Sequence, residues 1–166
     1  QIDLVVSGIN HGPNLGDDVF FSGTVGGART AFIFGRPAIA LSMDCYHRSS
    51  KYFGEMAEFT IRFIRELGET GQNHYLFNIN YPDKPGDEIK GVRYTFTGKR
   101  YYRDRYITEE LPDGRMSMKL SGEIESLYCD GCDMSVLRQG YISITPLTID
   151  STDYRYLQER EISPVK

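Results

Sequence analysis

Apolar positions fall into two kinds of run along the chain. Short, nearly continuous apolar stretches recur at residues 2–6, 37–43, 75–80 and 141–149. Such runs, rich in β-branched residues and bounded by turn signals, mark strands of a parallel sheet buried on both faces. Between them the spacing is helical. Residues 24–34 are small and helix-compatible, and Gly35 stops them ahead of Pro37. In residues 51–67, Phe53, Met56, Phe59, Phe63, Ile64 and Leu67 recur near the helical period, which predicts a helix with one buried face. Strand, helix and strand over residues 2–43 predict a βαβ unit, whose crossover is right-handed.

The pattern changes past residue 90. Residues 91–97 alternate and are rich in β-formers, which predicts a strand with one exposed face. Over residues 100–120, tyrosines and arginines flank a turn at Leu111-Pro112-Asp113-Gly114, predicting a hairpin that projects from the core. Residues 150–166 are polar with scattered apolar groups and read as an arm that packs on a neighbouring subunit. The expected fold class is α/β, a Rossmann-like three-layer sheet with a protruding β-hairpin and a C-terminal arm. As one domain it divides into an α/β core part at 1–98, the hairpin at 99–122, a return to the core at 123–149 and the arm at 150–166.

Composition narrows the classes. With 166 residues, 40% of them hydrophobic and 25% charged, the chain is long enough for one sizeable core. The formal net charge of -4 provides no global basic surface, so neither nucleic acid nor an anionic membrane is an expected partner. No apolar run is long enough to span a bilayer, and the first residues do not read as a signal peptide. Three cysteines, an odd number, argue against a disulfide scaffold and for a cytoplasmic protein.

The candidate chemistry gathers in residues 7–24, SGINHGPNLGDDVFFSGT, a glycine-rich loop between the first strand and the first helix. In open α/β sheets ligands bind just outside the carboxyl ends of strands, where this loop would lie. Asn10 follows directly on the strand, and its side-chain oxygen suits a hard cation such as Mg²⁺ or Mn²⁺. Ser22-Gly23-Thr24 opens the helix, where free N–H groups, the dipole and the hydroxyls attract phosphate. The alternative is that Ser22 or Thr24 only caps the helix. His11 is a weaker candidate for phosphate or acid chemistry. Asp17-Asp18, an adjacent acidic pair in mid-loop, reads as solvated rather than as a metal site. Cys129-Asp130-Gly131-Cys132 lacks a second pair of ligands for zinc, and Cys45 and His47 would complete a set only by accident of folding. It reads as two ordinary thiols in a turn. His47 and His74 have no identifiable partners. The cluster from Tyr101 to Tyr106 could stack on bases, but reads better as an exposed β-arm face or a subunit contact.

Several long words in this chain resemble the SurE family of survival-protein nucleotidases. They are Val5-Val6-Ser7-Gly8-Ile9-Asn10, Gly12-Pro13-Asn14-Leu15-Gly16 and Ser22-Gly23-Thr24-Val25, followed by residues 37–42, Asn78-Ile79-Asn80 with Pro82, and residues 140–147. The resemblance implies a metal-dependent 5'-nucleotidase that releases phosphate from nucleoside monophosphates. It implies that Asn10 is a metal ligand and that Ser22, Gly23 and Thr24 hold phosphate, with Asn14 as a supporting or substrate contact. It also implies a homodimer or homotetramer whose late segments exchange between subunits. The family's Asn-Asp-Asp-Gly word, whose aspartates hold the metal, has no counterpart here, so the resemblance puts the catalytic aspartate pair upstream of Gln1. A phosphate- or nucleotide-binding module without catalysis is the alternative expectation for residues 1–166.

Overall fold

The structure is a computed structural model and describes residues 2–46 and 49–158. Strand β1 (Val5–His11) leads through a loop and one helical turn, α1 (Asp18–Phe21), into helix α2 (Gly23–Ile33). Strand β2 (Ala38–Asp44), helix α3 (Phe53–Glu69) and strand β3 (Leu76–Pro82) follow. A short strand β4 (Val92–Tyr94) precedes the long arms β5 (Lys99–Glu110) and β6 (Met116–Leu127). The chain then forms α4 (Asp133–Arg138), β7 (Ile142–Pro146) and α5 (Tyr154–Gln158).

The central sheet has the order β1-β2-β3-β7-β4. Strands β1, β2 and β3 are parallel; β7 runs antiparallel to β3 and parallel to β4. Alternation along the strands sorts the two faces. Ile39, Leu41, Met43, Phe77 and Ile79 pack against Met56, Phe63 and Leu67 of α3. Ala38, Ala40 and Leu76 point the other way, onto Val25 and Ala28 of α2. Small residues on that second face let α2 lie close to the sheet. This is a Rossmann-like α/β arrangement with helices on both faces.

The face that carries α2 becomes polar towards the carboxyl ends of the strands. Ser42, Asn78, Asn80, Ser143 and Thr145 are buried there. Burying hydroxyls and amides is costly unless they are hydrogen-bonded. Here the Thr95 hydroxyl bonds those of Ser143 and Thr145 at 2.9 and 2.7 Å, and the asparagines bond the loop that follows β1.

Several boundaries differ from those the sequence predicts. The first strand spans Val5–His11 rather than 2–6, so Asn10 lies inside the ladder, opposite Ser42, instead of following it. A shift of register between Ser7 and Asn10 makes this possible. Gly8 sits there at φ 131°, and any Cβ on it would run into the Leu41 carbonyl oxygen, so only glycine fits. Polar residues and glycine hid this part of the strand from a hydrophobicity pattern. Strand β4 stops at Tyr94 rather than at residue 97, because Thr95 turns inward and Phe96 bridges to Cys132. The last core strand ends at Pro146 rather than at residue 149.

The hairpin pairs residue for residue from Lys99↔Leu127 to Glu110↔Met116, so its second arm runs five residues past the expected limit of 122. The turn lies where Pro112, Asp113 and Gly114 predict it. Helices α1, α4 and α5 are too short for periodicity to reveal, and none was expected. Helix α5 falls within the expected arm, of which residues 159–166 lie outside the described residues, as does His47. No helix among the described residues is long and apolar enough to cross a membrane.

Candidate functional site

The loop after β1 is held in place from three directions. The first is the sheet beneath it. Asn14 is buried and sits over β2 and β3. Its amide N–H donates to Asn80 Oδ1 at 2.8 Å, and its carbonyl accepts from Asn78 Nδ2 at 2.8 Å and Asn80 Nδ2 at 3.0 Å. Its own Nδ2 donates to Ser42 Oγ at 2.7 Å. Asn14 thus braces the loop on β2 and β3 and also lines the cleft described below.

The second hold is Asp133, the first residue of α4 and fully buried. Its Oδ2 accepts from the Gly16 N–H at 2.8 Å, and its Oδ1 from the Gly98 N–H at 2.9 Å and from its neighbour Met134 at 2.8 Å. One carboxylate thereby ties the loop, the hairpin root and α4 together. Burial pushes this carboxyl above its ordinary value, and the three N–H donors pull it back. Gly16 approaches the hairpin so closely that an added Cβ would stand 3.2 Å from the Gly98 carbonyl oxygen.

The third hold is the acidic pair, which is not solvated as expected. Asp17 accepts from the Arg100 N–H at 3.0 Å and from Lys99 Nζ at 3.1 Å. The Arg100 N–H bond holds its carboxyl below the ordinary range. Asp18 accepts from Arg100 Nη1 at 2.5 Å, from the Tyr102 hydroxyl and from the Leu15 N–H at 3.3 Å. Arg100 is only 8% exposed, and its Nη2 donates to the Tyr46 hydroxyl at 3.1 Å. Burial opposes its charge, but Tyr46 and Asp18 outweigh burial and keep it cationic. The pair thus clamps the root of the hairpin against the loop.

Above this base lies an open cleft of about 850 Å³, lined by Ser22 and Phe21 on one side and by Lys99, Arg100 and Tyr102 on the other. A second cleft, of about 910 Å³, lies at the opposite end of the sheet, near His74 and Leu147. The first of these is at the carboxyl ends of the parallel strands and has charged groups of both signs in its walls, so it is the candidate site.

The three residues expected to hold phosphate, Ser22, Gly23 and Thr24, form the start of a helix, and Ser22 lines the cleft. Ser22 is the N-cap of α2, and its Oγ accepts from the Val25 N–H at 3.1 Å. The capping role is therefore real. It uses a lone pair of the hydroxyl and leaves the O–H bond to rotate towards a ligand. Gly23 and Thr24 are the first two residues of the helix, whose N–H groups have no acceptor within it. Asn10 Nδ2 donates to the Gly12 carbonyl at 2.7 Å, which fixes the amide and directs Oδ1 the other way. His11 ends β1, exposed and opposite Met43. Among the described residues no three His, Cys, Asp or Glu side chains are grouped to hold a metal.

Other candidates lie elsewhere. The Phe32 ring stands 4.5 Å from that of His74, in the far cleft. Cys45 and Cys132 are buried, Cys129 is exposed, and all three are free thiols. Two groups of the site gave no signal in the sequence. Asp133 follows the Cys129–Cys132 turn and looks like any surface acid. Asp44, which ends β2, is half-buried. Burial pushes its carboxyl up against the pull of Arg100, and Asp83 adds to the push.

A mixed α/β sheet with helices on both faces, and a capped helix start after its first strand, defines a Rossmann-like α/β protein. The profile of the family described as Survival protein SurE matches residues 1–104. The chain belongs to the SurE family. It is 41% identical over 154 residues to a 5'-nucleotidase SurE of Symbiobacterium thermophilum, which covers 92% of this chain and 59% of that protein. It is 37% identical over 164 residues to a 5'-nucleotidase SurE of Synechococcus elongatus, with 95% and 63% covered. The crystal structure of the SurE protein from Aquifex aeolicus superposes with a TM-score of 0.77 at 36% identity, covering 95% of this chain and 63% of that one. The chain spans about three fifths of the length of the curated relatives it matches.

Proposed function

We propose that this chain supplies a metal ligand and the phosphate cradle of a divalent-metal-dependent 5'-nucleotidase, which hydrolyses nucleoside monophosphates to nucleoside and phosphate. The observation that carries the reading is the Ser22-capped start of α2, which lines the cleft, together with Asn10 near the end of β1, whose amide is fixed on the Gly12 carbonyl. The names of the relatives, 5'-nucleotidase SurE, point the same way. Asn10 Oδ1 is the ligand: a hard neutral oxygen held by a strand, suited to Mg²⁺ or Mn²⁺. The other ligands come from outside the described residues. The metal, when bound, supplies positive charge that polarises the phosphoryl oxygens and positions the attacking group. The Gly23 and Thr24 N–H groups and the Ser22 and Thr24 hydroxyls bind the phosphate, and the α2 dipole favours its charge. Asn14 and Asp133 keep the loop from drifting.

The ligand role is tested by Asn10→Ala. Calorimetric titration with Mn²⁺ should show affinity falling at least about tenfold, since even changes beyond the ligands cost 10–100-fold. Unchanged Mn²⁺ affinity removes Asn10 from the metal site. The cradle is tested by Ser22→Ala combined with Thr24→Val. A hydrogen bond to a charged group is worth about 1.5–3 kcal/mol, so phosphate affinity should drop about tenfold or more for each hydroxyl lost. Loss of the cap alone lowers stability by about 1 kcal/mol. If stability falls by that amount while phosphate still binds as before, these hydroxyls serve the helix and not the ligand.

A second reading, a phosphate- or nucleotide-binding module without catalysis, is favoured for this stretch alone by the absence, among the described residues, of three grouped metal-ligating side chains. Release of inorganic phosphate from AMP that depends on Mg²⁺ or Mn²⁺ separates the two.

A further inference from the structure

Between β6 and α4 the chain makes a four-residue turn, Cys129-Asp130-Gly131-Cys132, closed by the Cys132 N–H donating to the Cys129 carbonyl at 3.3 Å. Gly131 takes φ 75° at its third position, the left-handed conformation that such a corner asks of glycine. A turn of this kind holds its end Cα atoms within about 7 Å, and a disulfide joins Cα atoms about 4.4–6.8 Å apart. The second sulfur is folded back on the first residue. Cys132 Sγ accepts from the Cys129 N–H at 3.2 Å, and its own S–H faces the Cys129 carbonyl at 3.0 Å and Ser135 Oγ at 3.4 Å. Exposure separates the two: Cys129 is open to solvent, while Cys132 is fully buried with Leu15, Met134 and Leu137. Burial opposes charge on Cys132, but its hydrogen bonds with Cys129 and Ser135 outweigh burial and hold that thiol below its ordinary value. A bond to Cys132 pushes the Cys129 thiol up to about 11. The buried sulfur is thus the one that gives up its proton more readily. Cys132 also borders the Asp133 clamp. It bridges to Phe96 at the hairpin root, and a Cβ on Gly98 would stand 3.4 Å from its sulfur.

We propose that Cys129 and Cys132 form a dithiol–disulfide site, which closes reversibly by exchange with a small-molecule disulfide such as that of glutathione. The sequence leads to an expectation of two ordinary thiols; the turn, which sets one sulfur against the other residue, changes that. Only Cys129 can be reached by a disulfide RS–SR in solution. It passes its proton to the Cys132 sulfur and attacks one sulfur of RS–SR. A Cys129–SR bond forms, the RS–SR bond breaks, and the departing RS⁻ takes the proton from Cys132. The Cys132 thiolate then attacks Cys129 Sγ. The Cys129–Cys132 bond forms, the Cys129–SR bond breaks, and the second RS⁻ takes up the proton that Cys132 had given to water. Two cysteine thiols are oxidised, one RS–SR is reduced and two RSH are released. The position of the pair gives this bond a consequence. Oxidation removes the S–H that Cys132 turns to the Cys129 carbonyl and Ser135, and draws its sulfur towards Cys129. The next residue is Asp133, whose carboxylate holds the Gly16 and Gly98 N–H groups. Closing the disulfide therefore shifts the anchor of the loop after β1.

Redox titration decides it. The intact protein is equilibrated in glutathione buffers from fully reduced to fully oxidised, quenched in acid, alkylated and mapped by mass spectrometry. Oxidised buffer should give a Cys129–Cys132 disulfide in most molecules, with Cys45 alkylated, and reduced glutathione should reverse it. Cys132→Ser should stop at a glutathione adduct on Cys129, since no second thiol is there to displace it. Cys129→Ser should leave Cys132 a free thiol, because buried cysteines are inert. Cys129 is too exposed for its replacement to unfold the protein, so that variant is informative even if Cys132→Ser destabilises the turn. Hydrogen exchange at the Gly16 and Gly98 amides should differ between the reduced and oxidised protein by about threefold to tenfold, the size of one weakened hydrogen bond. Free thiols at Cys129 and Cys132 in fully oxidised buffer, or a glutathione adduct on Cys129 that persists in the wild type, overturn the dithiol site. A disulfide that forms while exchange at Gly16 and Gly98 stays unchanged overturns the shift of the anchor.

Discussion

Replacing Asp133 by alanine is expected to lower the unfolding free energy by about 3–5 kcal/mol, among the largest effects of any single substitution here. The side chain is buried and accepts from three backbone N–H groups, two of them in distant segments. Alanine leaves the Gly16 and Gly98 N–H groups buried without an acceptor, and an orphaned buried donor costs about 1–3 kcal/mol. The freed cost of burying a carboxylate offsets part of this. Asp133→Asn should do little better, because its NH₂ would face donors. Chemical denaturation measures the stability. Hydrogen exchange at the Gly16 and Gly98 amides should accelerate in the variant beyond the global change, because those two bonds are the ones removed. Wild-type stability in Asp133→Ala would show that the carboxylate does not hold the loop and hairpin together.

Arg100→Met is expected to cost about 3–5 kcal/mol as well, the usual result of removing one partner of a buried ion pair. Arg100 and Asp18 side chains are only 7% and 11% exposed. Methionine fills much of the space but leaves the Asp18 charge with only the Tyr102 hydroxyl and the Leu15 N–H. One further measurement identifies the cause. Adding Asp18→Asn should restore part of the stability, because it removes the charge left without its cation. A loss that is not relieved by Asp18→Asn would mean that packing of the Arg100 side chain, not its charge, matters.

The βα order of the core was legible because its strands are buried on both faces and its long helix is amphipathic. Residues 37–43 and 51–67 carry those patterns, and β2 and α3 formed within two residues of the expected limits. The start of α2 was legible for another reason: serine ahead of a small-residue helical run is a preferred N-cap, and Ser22 caps the helix. What stayed hidden depends on contacts between distant segments. Asp17-Asp18 looks the same in sequence whether solvated or clamped on Arg100, which is 82 residues away. Asp133 has no local pattern, and its partners lie at residues 16 and 98. Strand β1 was cut short because its second half, Gly8 to His11, pairs through the backbone and needs no apolar side chains to do so.

The hold of Asp133 on Gly16 spans 117 residues of chain, which has a meaning in time. A ribosome adds about 5–20 residues per second, so roughly 6–23 s pass between the two residues during synthesis. Asn78 and Asn80, 64 and 66 residues after Asn14, come earlier. The partners that anchor the loop after β1 therefore emerge on the nascent chain in two stages, those in the sheet first and the one at the start of α4 later. Until the second stage, the glycine-rich loop and its phenylalanines stand in front of an unfinished wall, and a chaperone that binds exposed aromatic side chains would find them there.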